Sequence, residues 1–294
     1  MKKLFRKKSD RLTNFVINSL LILLGICAIY PLWFVLIASI SDPGAVSRGE
    51  VFLWPKDVIF SAYTSLLEDP SIWIGYRNSL LYMLGGTACM LLVTLPTAYA
   101  LSRKELFGRR VLNFIFVFSM YFSGGLIATY LLHSSIGWLD TPWVLIIPAA
   151  MNVYNMILAR SAFQEIPESL RESAILDGAS EFYYFRKIVI PLSKATIAVL
   201  FLFTALSWWN EYMRFVIYID NPNLQSLQVI IRRIFENLTK TSEFSSAGEV
   251  TAKLNQAEMM KYSVVVVAAL PFCLLYPFIQ KYFNKGIMVG AVKG

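Results

Sequence analysis

Histidine occurs once in this 294-residue sequence, at His133, and cysteine three times, at Cys27, Cys89 and Cys273. Each cysteine lies inside an apolar block without C-x-x-C spacing, so the three read as small core residues rather than as a disulfide framework or metal site. One histidine without clustered ligands gives no basis for metal or histidine-based catalysis, so no catalytic residue and no metal ligand is assigned. A phosphate cradle is missing too. No G-x-x-x-x-G-K-[ST] occurs, and the nearest approach, Gly286 to Lys293, has the wrong glycine spacing. Such a chain does not bind and hydrolyse ATP itself. Charge is scarce: Asp, Glu, Lys and Arg make up 16% of residues, against about 25% in a soluble domain. With a mean hydropathy of +0.55, the composition points to a bilayer as the main solvent. The net charge of +8 would suit nucleic acid, but the cations flank apolar blocks, as membrane topology signals do, and no nucleic-acid partner is expected.

Apolar residues are abundant, at 56%, and they fall in six long blocks. These run from about Asn14 to Ile40, Tyr76 to Leu101, Val111 to Leu132, Pro142 to Ala162, Ala195 to Ile219 and Tyr262 to Phe283. Each meets the roughly 20-residue length of a transmembrane helix. The fold expected is therefore an all-α integral membrane protein with six transmembrane helices. Its parts are a basic N-tail (1–13), a first span (14–40), an external loop (41–75), a core domain (76–283) and a C-terminal tail (284–294). Within the core domain lie a connecting loop at 164–192 and an external loop at 220–261. Six cations precede the first block, so a signal peptide competes with a retained span; the length of the run and the lack of an A-x-A site favour the span. Starting from an inside N-terminus, eighteen Lys and Arg fall on the cytoplasmic side and eight outside, which puts both termini in the cytoplasm.

The outer segment 220–261 carries Leu227, Ile230, Ile231, Ile234 and Leu238 at helical spacing. Two readings stand open for it, an interfacial helix lying on the bilayer and a docking surface for an external partner. The loop between the fourth and fifth blocks is more telling. Pro167 suits a first helical turn and Glu168 the positive end of a helix dipole. Gly178 is placed to end that helix in a left-handed conformation. Phe182, Phe185, Ile188 and Val189 form a second amphipathic stretch, and Pro191 is expected to break the chain before the fifth span. The result is either a two-helix knob with small residues (Ser173, Ala174, Ala179) open to close approach, or an amphipathic linker on the membrane.

The residues themselves decide between the two. Glu172-Ser173-Ala174, three residues, Gly178, nine residues, Ile188, one residue and Ile190-Pro191 resembles the EAA motif of ABC-importer permeases, with Ser173 and Ile190 as mild departures. The run from Phe163 to Ser180, Trp208-Trp209-Asn210-Glu211-Tyr212, Lys281-Tyr282-Phe283 and the terminal Gly290-Ala291-Val292-Lys293-Gly294 resemble sugar-importer permeases related to the smaller maltose-system permease. Phe122-Ser123-Gly124-Gly125-Leu126-Ile127 resembles a branch handling larger or modified oligosaccharides, where proline is expected in place of Ala128.

That resemblance implies a type I ABC importer permease fold in the cytoplasmic (inner) membrane. It implies as partners a second homologous permease, two cytoplasmic ATPase subunits that carry the ATP and Mg, and an external solute-binding protein. No cofactor is expected on this chain. Glu172, Ser173, Ala174, Asp177, Gly178, Ile188 and Pro191 would form the ATPase-coupling site, and Gly290 and Lys293 would belong to a tail reaching the ATPase interface, unless that tail is a frayed terminus.

Asn210, Glu211 and Arg214 make up the most polar part of a span, and with Trp209 they form a candidate translocation path. Glu211 and Arg214 either pair along one helix face or snorkel to the interface. The two tryptophans either belong to an aromatic belt or stack on a sugar. Pro96 is expected to kink the second span. The leading expectation is the membrane subunit of an ATP-driven sugar importer. Competing with it are a permease for peptides or another solute, a non-transporting scaffold or sensor, and a proton-coupled transporter. The last would want acidic groups at mid-membrane, and none is convincingly placed there.

Overall fold

The computed structural model describes residues 2–242, 260–271 and 273–274. Among these residues every regular element is helical. The first elements are α1 (Lys2–Ala38), α2 (Pro43–Ser47), α3 (Ser61–Glu68) and α4 (Pro70–Ser102). There follow α5 (Arg109–Tyr121), α6 (Gly125–Ser135), α7 (Trp143–Ile146), α8 (Val153–Gln164) and α9 (Glu168–Leu176). The rest are α10 (Glu181–Tyr184), α11 (Ile190–Leu192), α12 (Lys194–Trp209), α13 (Met213–Tyr218), α14 (Leu227–Ser242) and α15 (Met260–Pro271). A 3-10 turn, Pro148–Ala150, follows α7, and a π turn, Phe185–Val189, joins α10 to α11.

The chain divides into two compact units. One comprises Met1–Asp69 with Arg233–Leu270, the other Pro70–Arg232 with Pro271–Gly294. In the first, Thr13–Ala38 is a 26-residue apolar stretch that ends on a small core of Ile37, Ala45 and Val51. Phe34 meets Tyr262 edge-on at 5.9 Å, and Ser263 donates to the Ser39 carbonyl at 3.0 Å. Asp42 caps α2 by accepting the Ala45 N–H at 2.9 Å.

The second unit is built around α4, which packs against α8 and α12. It carries Pro96 without interruption. Its close approach to α12 depends on Gly86, where a Cβ would lie 2.1 Å from Cε2 of Trp208. At one end, Leu95, Ala98, Tyr99, Met156, Phe163 and Leu200 form a core shared with Ala174, Tyr184 and Val189 of the 164–192 connection. Large apolar side chains stay exposed on α5 and α6, among them Phe114, Phe118, Leu126, Ile127 and Leu131. Faces of this extent need lipid or another subunit to cover them.

Three of the expected spans are long and apolar enough to cross a membrane: Thr13–Ala38, Pro70–Ser102 and Trp143–Gln164, the last interrupted at Met151 and Asn152. Two are bent. The third block, expected to be continuous, is α5 and α6 meeting at 106°. The chain is extended at Phe122 and takes a left-handed φ of 79° at Gly125, which ends one helix and starts another. The fifth block stops at Trp209; Asn210 to Tyr212 are non-helical before α13 resumes. Hydropathy sees both blocks as unbroken, because apolar composition is blind to backbone direction. The sixth expected span lies partly outside the described residues, and α15 is its described part.

The break expected at Pro191 is present before the fifth span, displaced by two residues. Pro191 lies in the last turn of the continuous helical run Glu181–Leu192, just after the π turn, and the 79° bend falls two residues later, at Ser193, before Lys194–Trp209. Pro167 likewise stands one residue outside α9, as its cap, with ψ 132°.

Candidate functional site

The 164–192 connection folds into the two-helix knob, α9 and α10, joined by a tight turn. Gly178 holds φ +80°, and its N–H donates to Ile175 O at 2.9 Å while that of Ala179 donates to Ala174 O at 2.9 Å. This is the helix-ending geometry that glycine adopts without steric cost. Ser180 then caps α10 by accepting the Tyr183 N–H at 3.2 Å. Ala174 faces inward at 9% exposure, and Tyr184 and Val189 are fully buried, so the knob is fastened to the core through one face. Ile188 packs partly against that core.

Glu172, Ser173, Asp177 and Pro191 are exposed on the opposite side. So are large apolar groups: Leu176 is 87% exposed, Phe182 71% and Tyr183 54%. The middle motif position therefore tolerates serine because it faces outward, where Ser173 Oγ donates to its own helix at Ser169 O, 2.9 Å.

Behind the knob lies a polar network that motif reading missed. Arg171 donates through Nε to Glu181 at 2.9 Å and through Nη1 to Glu168 at 3.0 Å, with Glu105 at 3.4 Å. Tyr99, near the end of α4, donates to the other oxygen of Glu181, and Arg103 reaches Glu168 at 3.4 Å. Burial pulls the Glu181 carboxyl upward, but hydrogen bonds from Arg171 and Tyr99 outweigh it and leave it below the usual carboxylate value. Arg171 is raised, chiefly by its hydrogen bond to Glu181. The stabilisation from a lowered carboxylate is complete above its unfolded pKa and is lost as pH falls through the folded value, so the pair is intact at neutral pH. Only the i,i+3 pair Glu168–Arg171 was available to sequence spacing; the link to Glu181 depends on the turn at Gly178.

Within the helical body, two hollows open where helices are interrupted. Met151 and Asn152 are extended between the turn at Pro148–Ala150 and α8, and they line a hollow of about 450 Å³ with Asn155, Thr204, Ser207, Trp208 and Arg214. The second is bordered by Ser207, Asn210, Glu211 and Tyr212 at the end of α12. Non-helical backbone at membrane depth is tolerated where it lines a cavity or is covered by protein. Asn155 Nδ2 donates to Thr204 Oγ1 at 3.1 Å, tying α8 to α12. Thr204→Val is expected to cost about 1 kcal/mol, read as a lower thermal midpoint of the purified protein. An unchanged midpoint would deny that tie any weight.

Of the expected path residues, Asn210, Glu211 and Arg214 border these hollows. Glu211 pairs with the Arg214 side chain (Nε, 2.6 Å) and accepts its backbone N–H at 3.1 Å, which resolves the earlier choice in favour of pairing. The guanidinium lies 5.1 Å over the Trp208 ring. Trp209 differs: it is 3% exposed, with its ring 6.1 Å from that of Tyr76, so it supports the wall from behind. Gly290 and Lys293 lie outside the described residues.

Residues 70–289 match the family described as "Binding-protein-dependent transport system inner membrane component", whose first matched residue is the start of α4. The chain is 37% identical over 286 residues to the polygalacturonan/rhamnogalacturonan transport system permease protein YtcP of Bacillus subtilis, covering 97% of this chain and 99% of that protein. It is 36% identical to protein LplC of the same organism, over 92% of this chain and 91% of LplC. Among solved structures, a bacterial ABC transporter involved in the import of the acidic polysaccharide alginate matches with a TM-score of 0.83 and 34% identity, over 94% of this chain and 98% of the other.

Proposed function

The chain belongs to the binding-protein-dependent transport system inner membrane components, and from that premise we propose that it is the permease of an ATP-driven importer of oligosaccharides. It crosses the cytoplasmic membrane six times with both termini inside. A second homologous permease completes the pore, two cytoplasmic ATPase subunits bind ATP and Mg, and an external solute-binding protein delivers the sugar. Fragments of polygalacturonan, rhamnogalacturonan or the acidic polysaccharide alginate are the substrates to try first, given what YtcP and the alginate system are named for.

The observation that carries this reading is the knob: a rigid projection tied to the core through Ala174, Tyr184 and Val189, which leaves Leu176 and Phe182 bare. Apolar groups so exposed beside Glu172 and Asp177 suit a protein partner. A permease without a phosphate loop must receive its force from another chain. ATPase closure drives the knob, and the helices it is fastened to swing as a rigid body between inward- and outward-facing arrangements. The solute passes the hollows at Asn152, Ser207, Asn210, Glu211 and Arg214, whose paired charges keep the wall close to neutral. Gly290 and Lys293 are assigned to the ATPase interface.

Leu176→Asp tests the docking face. Placing a carboxylate there leaves the core untouched and is expected to strip the ATPase subunits from the purified permease, cutting ATP-dependent uptake about tenfold or more. Normal co-purification and normal uptake would remove the knob from the coupling route.

A further inference from the structure

We propose that Arg171 is a positioning residue for coupling: by clasping Glu168 and Glu181 across the Gly178 turn, while Tyr99 holds Glu181 from α4, it makes the two helices of the knob one lever joined to the long central helix. The proposal rests on the reading of the knob as the point where force enters.

Without the clasp, α9 and α10 are joined by the Gly178 turn and by the burial of small or single side chains. Ala174 offers one methyl group to the core, and α9 has no other buried residue. A helix held by so little can rock about its turn. Arg171 removes that freedom. Its side chain is 17% exposed and points back toward the body, not outward toward the docking face. Nε and Nη2 both reach Glu181 Oε1, at 2.9 and 2.5 Å, and Nη1 reaches Glu168 and Glu105. A forked cation can span three carboxylates in this way where a lysine ammonium cannot.

The anchorage continues into α4. Tyr99 is 9% exposed, donates to Glu181 Oε2, and packs its ring 4.9 Å from Phe185. Arg103 lies 5.0 Å over the Tyr99 ring and pairs with Glu168. Both helices of the knob are therefore tied to the end of α4, by Glu181–Tyr99 within it and by Glu168–Arg103 one residue beyond it. Arg171 connects the two ties.

The test uses the whole transporter, permease pair with ATPases, reconstituted in vesicles. Uptake of labelled oligogalacturonate and of alginate oligosaccharide, together with ATP hydrolysis, is measured for Arg171→Ala, Arg171→Lys, Glu181→Gln and the exchanged pair Arg171→Glu with Glu181→Arg. Solute imported per ATP hydrolysed is expected to fall roughly five- to tenfold in Arg171→Ala, less in Arg171→Lys, and to recover in the exchanged pair relative to Arg171→Glu alone. A second readout does not depend on transport. Nitroxides at Ser169→Cys and Trp143→Cys, with the native cysteines replaced by serine, report α9 against the body. Their distance distribution is expected to broaden in Arg171→Ala.

An unchanged ratio with an unchanged distribution overturns the proposal. So does a ratio that falls with the distribution still narrow, since the lever would then be intact. If Arg171→Ala does not assemble, Glu181→Gln and the exchanged pair decide by the same criteria. If the unmodified transporter imports neither probe with ATP, the reading of function is at fault, and the nitroxide distances still judge the lever.

Discussion

Gly86→Ala is expected to destabilise the second unit by about 2 kcal/mol, the cost of overpacking less the gain in helix propensity. The added methyl would stand 2.1 Å from Trp208 Cε2 and 2.4 Å from its Cζ2 and Nε1. Neither side can yield cheaply. Trp208 is 3% exposed, stacks on Tyr82 with ring centroids 6.4 Å apart, and has the Arg214 guanidinium 5.1 Å from its ring centroid. Pushing the indole outward would open the α4–α12 contact and shift Arg214 at the hollow, so transport should fall along with stability. The thermal midpoint of the purified protein checks this. Trimming the neighbour in Gly86→Ala with Trp208→Leu should recover part of the loss relative to Trp208→Leu alone, because the clash disappears with the ring. An Ala variant as stable as the parent would mean that the helices are not so close.

Gly178→Val should behave in the opposite way, sparing the body and impairing transport. No atom lies within 4 Å of a Cβ at Gly178, so a substitution meets open space and acts only through its φ of +80°. A β-branched residue there costs about 1–2 kcal/mol, enough to depopulate the turn by roughly five- to thirtyfold. Membrane insertion should be normal while uptake falls about tenfold. Asn, which enters the left-handed region more readily, should retain most uptake. If Val and Asn variants transport alike, the angle set by this turn does not matter to coupling.

The knob was legible in the sequence because its devices are local. A helix-ending glycine, an acidic first turn at Glu168 and a small residue at Ala174 each act within a few positions of themselves. Burial of Ala174 and exposure of Ser173 explain why one motif position stays small while its neighbour can vary. What failed was reading that depends on direction or distance in space. Hydropathy joined α5 to α6 and carried the fifth span past Trp209, since a run of apolar residues looks the same whether straight or bent by 106°. Pro191, by contrast, marked a stop correctly to within two residues, since the helical run that contains it ends at Leu192 and the chain bends by 79° before the next helix.

The hollows and the network behind the knob were hidden for the same reason. Asn152, Asn155, Thr204 and Ser207 are weak signals singly and meet only when α8 packs on α12. Arg171 counted as one more cation on the inner side; its partner Glu181 lies ten residues away and Tyr99 seventy-two, beyond any local period. Conversely, Trp209 stood beside polar residues in sequence and was grouped with them, although the end of α12 turns it inward onto Tyr76.

The central claim, that ATP used on the knob's side drives a sugar inward through this chain, is tested most directly in vesicles containing the permease pair, the ATPases and the binding protein. ATP and Mg are supplied on one face only, and labelled oligosaccharide with the binding protein on the other. Accumulation that requires hydrolysable ATP on the face bearing residues 164–192, and that Gly178→Val cuts about tenfold, is the expected result. Accumulation without ATP, or equal accumulation by the Gly178→Val transporter, would contradict it.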